Sequence, residues 1–489
     1  MRDAVAVRTG GLAVTTEPLL DPETTPKDPK GRMRLPQATA LIVGTIIGVG
    51  IFNLPGSLAA YGPISLVAMG LTTVGALALA LMFAMMSRRL PADGGPYAYA
   101  RVAFGNATGF SSAWLYWITA WAGNAAIVVG WVFYVQFFLA EFWDVAWSVT
   151  IAGVGVDLWS ISLCLLGLWL PAAINLSGIR SMASFQLWTS IIKFIPLAIM
   201  STIGLFYIST ANFEPFNVSG EPTIAAIGGA MALCLFSYLG VETASVAAAR
   251  VENPDRNVPR ATMIGTVAAA VVYLLSLVAV FGIVGSAGLA ESQAPFSTAF
   301  GDMWGGWASQ AAAAAVIVSG FGALVGWTMI CAEMPLAAAK GGVFPRRFAE
   351  LSSRDMPAFG IVMSTVLASV VMVFSFLGST GYDVFNILVY MSGITAAIPY
   401  AFSALAQLKW RIGDQRELQT PRFVRDVVVA LIALVFSGLF IWYSRMTGEP
   451  FLKEYAPFIM AGVAFLVGIP VYLTQKDRMG EPQQVPDYR

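Results

Sequence analysis

Apolar runs long enough to cross a bilayer recur along the whole chain, and no other feature restricts its fold as strongly. Twelve can be placed, at about 36–61, 63–87, 107–139, 159–177, 185–209, 224–247, 261–287, 308–339, 358–378, 383–408, 426–446 and 455–474, each near or above the roughly 20 residues a spanning helix needs. Inside hydrocarbon every backbone N–H and C=O must find a partner within the chain, so such runs are helical. The expected fold class is an all-α polytopic membrane protein with twelve transmembrane helices. Composition agrees: 57% of residues are hydrophobic and 11% charged, where a soluble domain carries about 25% charged residues.

The same composition narrows the chemistry. Histidine is absent and the three cysteines, Cys164, Cys234 and Cys331, lie in separate apolar runs. A metal centre, a disulfide framework and a histidine-based hydrolase are therefore disfavoured, and no cofactor, enzyme activity or nucleic-acid partner is expected. Residues 1–34 carry Pro18, Pro22, Pro26 and Pro29 among polar residues and read as a disordered tail. With the N-terminus cytoplasmic, the span map leaves only Arg445 and Lys453 of the 28 Lys and Arg on the outer face and Lys193 within a span. That division follows the positive-inside rule and puts both termini in the cytoplasm of a plasma-membrane protein. The outer face then collects Glu141, Asp144, Asp157, Glu214, Glu221, Glu291, Asp302, Asp383, Glu449 and Glu454. This acidic vestibule either concentrates cations or is no more than the complement of the positive-inside rule. Two loops stand out: 88–105, either a short amphipathic segment on the cytoplasmic face or a solvated basic loop, and 250–260, whose Pro254 and Pro259 end the sixth span sharply.

The first span contains Val43-Gly44-Thr45-Ile46-Ile47-Gly48-Val49-Gly50. Glycine weakens helix continuity and clears the backbone for a ligand, so a helix broken here would line a protein-enclosed cavity. Gly44 and Gly48, four apart, equally fit a close helix-packing face. The sixth span holds Ser237, Gly240 and Glu242. An ionisable residue at that depth costs about 2.5–3.5 kcal/mol and belongs in the bundle interior, either in a task or in a structural pair. Glu242 is read as the pH-responsive group. Lys193 in the fifth span either snorkels or turns inward, and the inward reading places its ammonium on carbonyls freed by the break in the first span. Asn124 and Trp327 also lie within spans, as site residues or as packing. Two interrupted helices in corresponding positions point to an inverted-repeat transporter whose half-helix N-termini suit a substrate carboxylate.

These stretches resemble the amino acid-polyamine-organocation (APC) transporters, and within them the arginine/agmatine antiporter group, over residues 35–408. The similarity is carried by GTIIGVGIF, DGGPYAYARVAFG, YWITAWAGNAAIVV, FSYLGVETASVAAARVENPDRNVPRAT and GWT. It implies a five-plus-five inverted repeat, 35–212 and 213–408, followed by two further helices in 409–474 and a cytoplasmic tail at 475–489. It also implies alternating access about a substrate held between broken helices 1 and 6. By motif, the substrate carboxylate falls at the backbone of Ile46, Gly48, Val49 and Gly50, and the amino group at the carbonyls of Phe236, Ser237 and Leu239. Phe236 and Trp327 become the site aromatics, Asn124 and Ser392 polar contacts, and Tyr116, Glu242 and Tyr400 the inner gate. Thr45, Val49 and Lys193 depart from the antiporter pattern, which has Asn, Ser and a small apolar residue there, and Phe236 replaces Trp. An inward Lys193 resembles instead the sodium-independent permeases, where the ammonium stands in a sodium position. The function expected is a sodium-independent transporter in the lipid bilayer, an exchanger for cationic amino acids or their amines. A proton-coupled permease for neutral amino acids, or a non-transporting membrane protein, is the alternative, and a homodimer is a possible assembly.

Overall fold

The computed structural model describes residues 33–90, 94–143, 147–151, 154–178, 182–246, 251–377, 381–413, 421–446 and 449–480. The expected terminal tails before residue 33 and after residue 480, and Asp144, lie outside the described residues. The chain is mostly helical, and ten helices among these residues are long and apolar enough to cross a membrane. They begin with an interrupted pair, α1 (Leu35–Ile46) and α2 (Gly50–Leu58), and continue with α3 (Ile64–Arg89). The short α4 (Pro96–Phe104) leads into α5 (Asn106–Leu139), the hairpin β1 (Ser148–Ile151) and β2 (Val154–Asp157), and α6 (Leu158–Leu176). After α7 (Met182–Thr202), α8 (Thr223–Phe236) and α9 (Thr243–Val246) come α10 (Pro254–Glu291), α11 (Pro295–Trp304), α12 (Gly306–Lys340) and α13 (Ala358–Ser375). The last four are α14 (Tyr382–Gly413), α15 (Pro421–Tyr443), α16 (Phe451–Glu454) and α17 (Ala456–Gln475).

The expected fifth span is helical over α7 (Met182–Thr202) and tightens into a 3₁₀ turn at Ile203–Tyr207. The sixth is a shorter apolar helix than its sequence run suggests, Thr223–Phe236, and the turn that follows it holds Gly240 at φ 106°. The hairpin is a small β exception to the all-α expectation, antiparallel with Ser148 opposite Asp157. Asp157 then caps α6 by accepting from the Ser160 N–H at 3.0 Å.

Among the described residues of 88–105 there is a short helix, as the amphipathic-segment reading expects, but it is mostly buried. Pro96–Phe104 is helical, and Tyr97, Tyr99 and Arg101 are buried, with Phe104 the exposed ring. Arg101 can be buried because its fan of donors is covered by carbonyls and a phenol: Gly341 O at 2.6 Å, Gly480 O at 3.1 Å and Tyr97 Oη at 3.0 Å. The 250–260 stretch also behaves differently. Pro254 occupies the first turn of α10, where its missing N–H costs nothing, so it starts a helix rather than only ending one.

The interior is organised around α5, which packs between α12 and α14 and is buried from Gly109 through Tyr134 almost without interruption. On the other side α3 lies against α10, α8 and α15, and α1 lies along α10. α15 and α17 present Val428, Leu431, Val435, Val463 and Leu466 outward, an apolar rim that suits lipid. Where α14 meets α15, buried Asp426 binds Arg411 and accepts from Arg425 Nε at 2.9 Å. A charge pair at this depth needs both partners to offset its desolvation.

Candidate functional site

The first helix breaks within three residues. Ile47 N–H still reaches Val43 O at 2.9 Å, but Gly48 N–H turns to Ile46 O at 2.9 Å, and α2 starts at Gly50. The carbonyls at the break are met by side chains from other helices. Lys193 of α7, 3% exposed, donates from Nζ to Ile47 O at 2.8 Å and Gly44 O at 3.1 Å. Tyr273 of α10 donates to Ile46 O at 2.7 Å. Phe52 N–H bonds Val49 O at 3.0 Å, and ahead of it the N–H groups of Gly50 and Ile51 form the positive end of a short helix dipole.

The sixth helix breaks after Phe236. Gly240 needs its positive φ, and a Cβ there would sit 3.2 Å from the Thr45 backbone, so the two breaks meet at this glycine. Between them lies a cavity of ≈ 20 Å³ lined by Thr45, Ile46, Gly48, Gly50, Gly123, Ile127, Phe236, Ser237, Leu239 and Trp327. That volume is about one water, so this conformation is closed around the site. Phe236 closes it: a Cβ on Gly50 would lie 3.0 Å from the ring and one on Gly123 3.8 Å from it. Two buried acceptors here have no protein partner among the described residues, Ser237 Oγ and Asn124 Oδ1.

The residues singled out from sequence fall into three groups. Thr45, Ile46, Gly48, Gly50, Phe236, Ser237, Leu239 and Trp327 line the cavity. Val49, Asn124 and Ser392 do not. The Val49 side chain packs toward Gly320, Asn124 Nδ2 bonds Thr328 Oγ1 at 3.3 Å, and Ser392 Oγ donates to Thr119 O at 3.0 Å. Ser392 stands one layer behind the cavity, against Gly123. Below it, Glu242 is 1% exposed and accepts from Tyr116 Oη at 2.5 Å and Tyr400 Oη at 2.8 Å. One carboxylate thus ties α5, the turn after α8 and α14 together.

A family model described as amino acid permease matches residues 34–471. The chain belongs to the amino acid permease family. Among curated relatives this permease is similar to the "Putrescine transporter PotE" of Haemophilus influenzae, 33% identical over 82% of this chain and 89% of that one. It is similar to the "Putative arginine/ornithine antiporter" of Bacillus subtilis, 32% identical over 89% and 95%. The "Cadaverine/lysine antiporter" of Escherichia coli is 27% identical over 84% and 89%. These relatives are all named as transporters or antiporters.

Sequence reading missed several permease residues. Gly123 and Ile127 line the cavity from α5, and the Trp121-Ala122-Gly123-Asn124 stretch drew attention only to its asparagine. Tyr273 has no local signal, being one tyrosine in an apolar run. Glu333 is a further ionisable residue within a span, on α12, and could have been found by the rule applied to Glu242 and Lys193. The larger groove, ≈ 870 Å³, lies at the end of the bundle that carries Asp157, Glu291 and Asp302, with Trp143 and Trp159 in its wall. The two cations assigned to that face are both paired, Lys453 with Asp383 at 2.7 Å and Glu449 at 3.2 Å, and Arg445 with Glu454 at 3.9 Å.

Proposed function

We propose that this permease is a sodium-independent antiporter for cationic amino acids or their amines, working by alternating access in the plasma membrane with both termini cytoplasmic. In this reading twelve helices form a five-plus-five inverted repeat, 35–212 and 213–408, with two helices beyond it in 409–474. The observation that carries it is the shared cavity between two helix breaks, with the carbonyls of the first already held by Lys193. The N–H groups at the start of α2 would take the substrate carboxylate. Carbonyls around Phe236, Ser237 and Leu239, with Ser237 Oγ, which has no partner among the described residues, would take its amino group. An ammonium already at the break fills the place a sodium ion would need, so exchange of sodium for choline should leave uptake unchanged. The names of the relatives favour cationic substrates, and a groove with carboxylates in its wall would raise their local concentration in a salt-sensitive way.

A second reading, a proton-coupled permease for neutral amino acids, is favoured by one feature of the cavity. Among the described residues its lining holds no carboxylate, and Ile127 and Leu239 are apolar. The two readings part on a competition assay with purified protein in liposomes. Arginine, ornithine and putrescine should displace bound substrate, and leucine and alanine should not; the reverse pattern installs the neutral permease. The side-chain cation would stack on Phe236 or Trp327, a contact worth about 0.5–2 kcal/mol. Phe236→Leu keeps the apolar bulk and removes the π-face, so it should weaken cation binding by about 2- to 30-fold. Equal losses for leucine and arginine would remove the stacking account.

A further inference from the structure

Each helix break is anchored by a phenol, and the two phenol rings touch. Tyr273, fully buried on α10, donates to Ile46 O at 2.7 Å, the carbonyl at the end of α1. Tyr238, 1% exposed in the turn between α8 and α9, shares a 2.6 Å hydrogen bond with Thr73 Oγ1 of α3. The rings meet edge to face, with centroids 5.7 Å apart and planes at 63°. Neither ring lines the cavity and neither belongs to the Glu242 cluster. A buried hydroxyl is costly unless it is bonded, and here Tyr273 of α10 bonds the first break while Tyr238, itself in the second break, bonds α3.

We propose that Tyr273 and Tyr238 are positioning residues acting as one unit, which couples the geometry of the first-helix break to that of the sixth. The proposal rests on the reading of the cavity between the breaks as the substrate site. A phenol's oxygen lies on the Cγ–Cζ axis of its ring, so the direction of that axis, not rotation about it, decides whether the Tyr273 O–H meets the Ile46 carbonyl. The Tyr238 ring packs against Tyr273 and bears on that direction, and its own oxygen is bonded to Thr73. A shift of the turn after α8 therefore moves the Tyr238 ring, disturbs the Tyr273 bond and alters the support of the break that presents the α2 N–H groups. The breaks also touch directly at Gly240 and Thr45, a contact that removing a phenolic oxygen leaves in place.

The test does not need the substrate. Hydrogen–deuterium exchange on ligand-free protein in lipid nanodiscs is compared for wild type, Tyr273→Phe and Tyr238→Phe, both of which keep the ring. In each variant, exchange should quicken by about fivefold or more in residues 44–52 and also in 237–243, with the rest of the chain unchanged. Quickening confined to the variant's own break overturns the coupling; none at either break, or quickening spread over the whole chain, overturns the positioning role. In uptake with arginine or putrescine as probe, each single variant should raise KM about 5- to 10-fold with Vmax within about twofold, and the double variant should add less than about twofold more. A double variant whose loss equals the product of the singles overturns the unit. If wild type takes up none of the amino acids or amines offered, the substrate-site reading fails, and the exchange comparison still decides the coupling.

Discussion

A Lys193→Ala variant is expected to lose at least about 100-fold in uptake while still folding. The ammonium makes two charge-assisted hydrogen bonds, to Ile47 O and Gly44 O, and bonds of this kind contribute about 1.5–3 kcal/mol each. Alanine leaves two carbonyls in an interior that closes off water, and the break must relax to find them other donors. The cost falls on the geometry of the α2 N–H groups rather than on the bundle, whose main packing among α5, α12 and α14 does not involve Lys193. Thermal unfolding in detergent should therefore move little, while uptake into proteoliposomes collapses. Lys193→Met, which keeps length and loses charge, should behave like alanine if the ammonium is what matters. Retention of more than about a third of wild-type uptake by both variants would show that the break stands without it. Wild-type uptake that fails when choline replaces sodium would remove the sodium-independent reading on its own.

Glu242→Gln should flatten the pH dependence of transport and slow exchange by about 10-fold or more, on the scale of losing a hydrogen bond to a charged group. As a carboxylate, Glu242 accepts from both Tyr116 Oη and Tyr400 Oη. A protonated carboxyl carries its own O–H, so at that oxygen the hydrogen bond reverses: the phenol accepts, must redirect its own O–H, and the charge-assisted bond becomes a weaker neutral one. Proton uptake therefore loosens the tie among α5, the turn after α8 and α14, and proton release restores it. Glutamine matches the shape of the carboxyl group but has a fixed amide donor, so it holds the tie in one condition at every pH. Uptake measured across pH 5 to 9 separates the cases: a profile in the variant that parallels wild type assigns the pH response to another group.

Much of the candidate site could be read from the sequence because its signals are local. Glycines at 44, 48 and 50 mark a weak helix wherever they are placed, and a carboxylate or ammonium in an apolar run declares itself without knowledge of its neighbours. The membrane class, the helical content and both break positions follow from such signals, whereas Phe236 and Leu239, which also line the cavity, are named by the family resemblance. The direction of a side chain around its helix does not. Val49 belongs to the break motif yet packs toward Gly320, and Ser392 stands behind the cavity it was expected to line. Gly123 matters only because Phe236 and Ser392 approach it from other helices. Residues 88–105 look polar enough for the surface, but the Gly341 and Gly480 carbonyls make burial of Arg101 affordable, and those carbonyls lie far away in the chain. Tyr273, Tyr238 and Thr73 meet across two helices and the turn after α8. Their hydrogen bonds depend on how α3 and α10 pack, and such pairings arise only when distant segments are brought side by side.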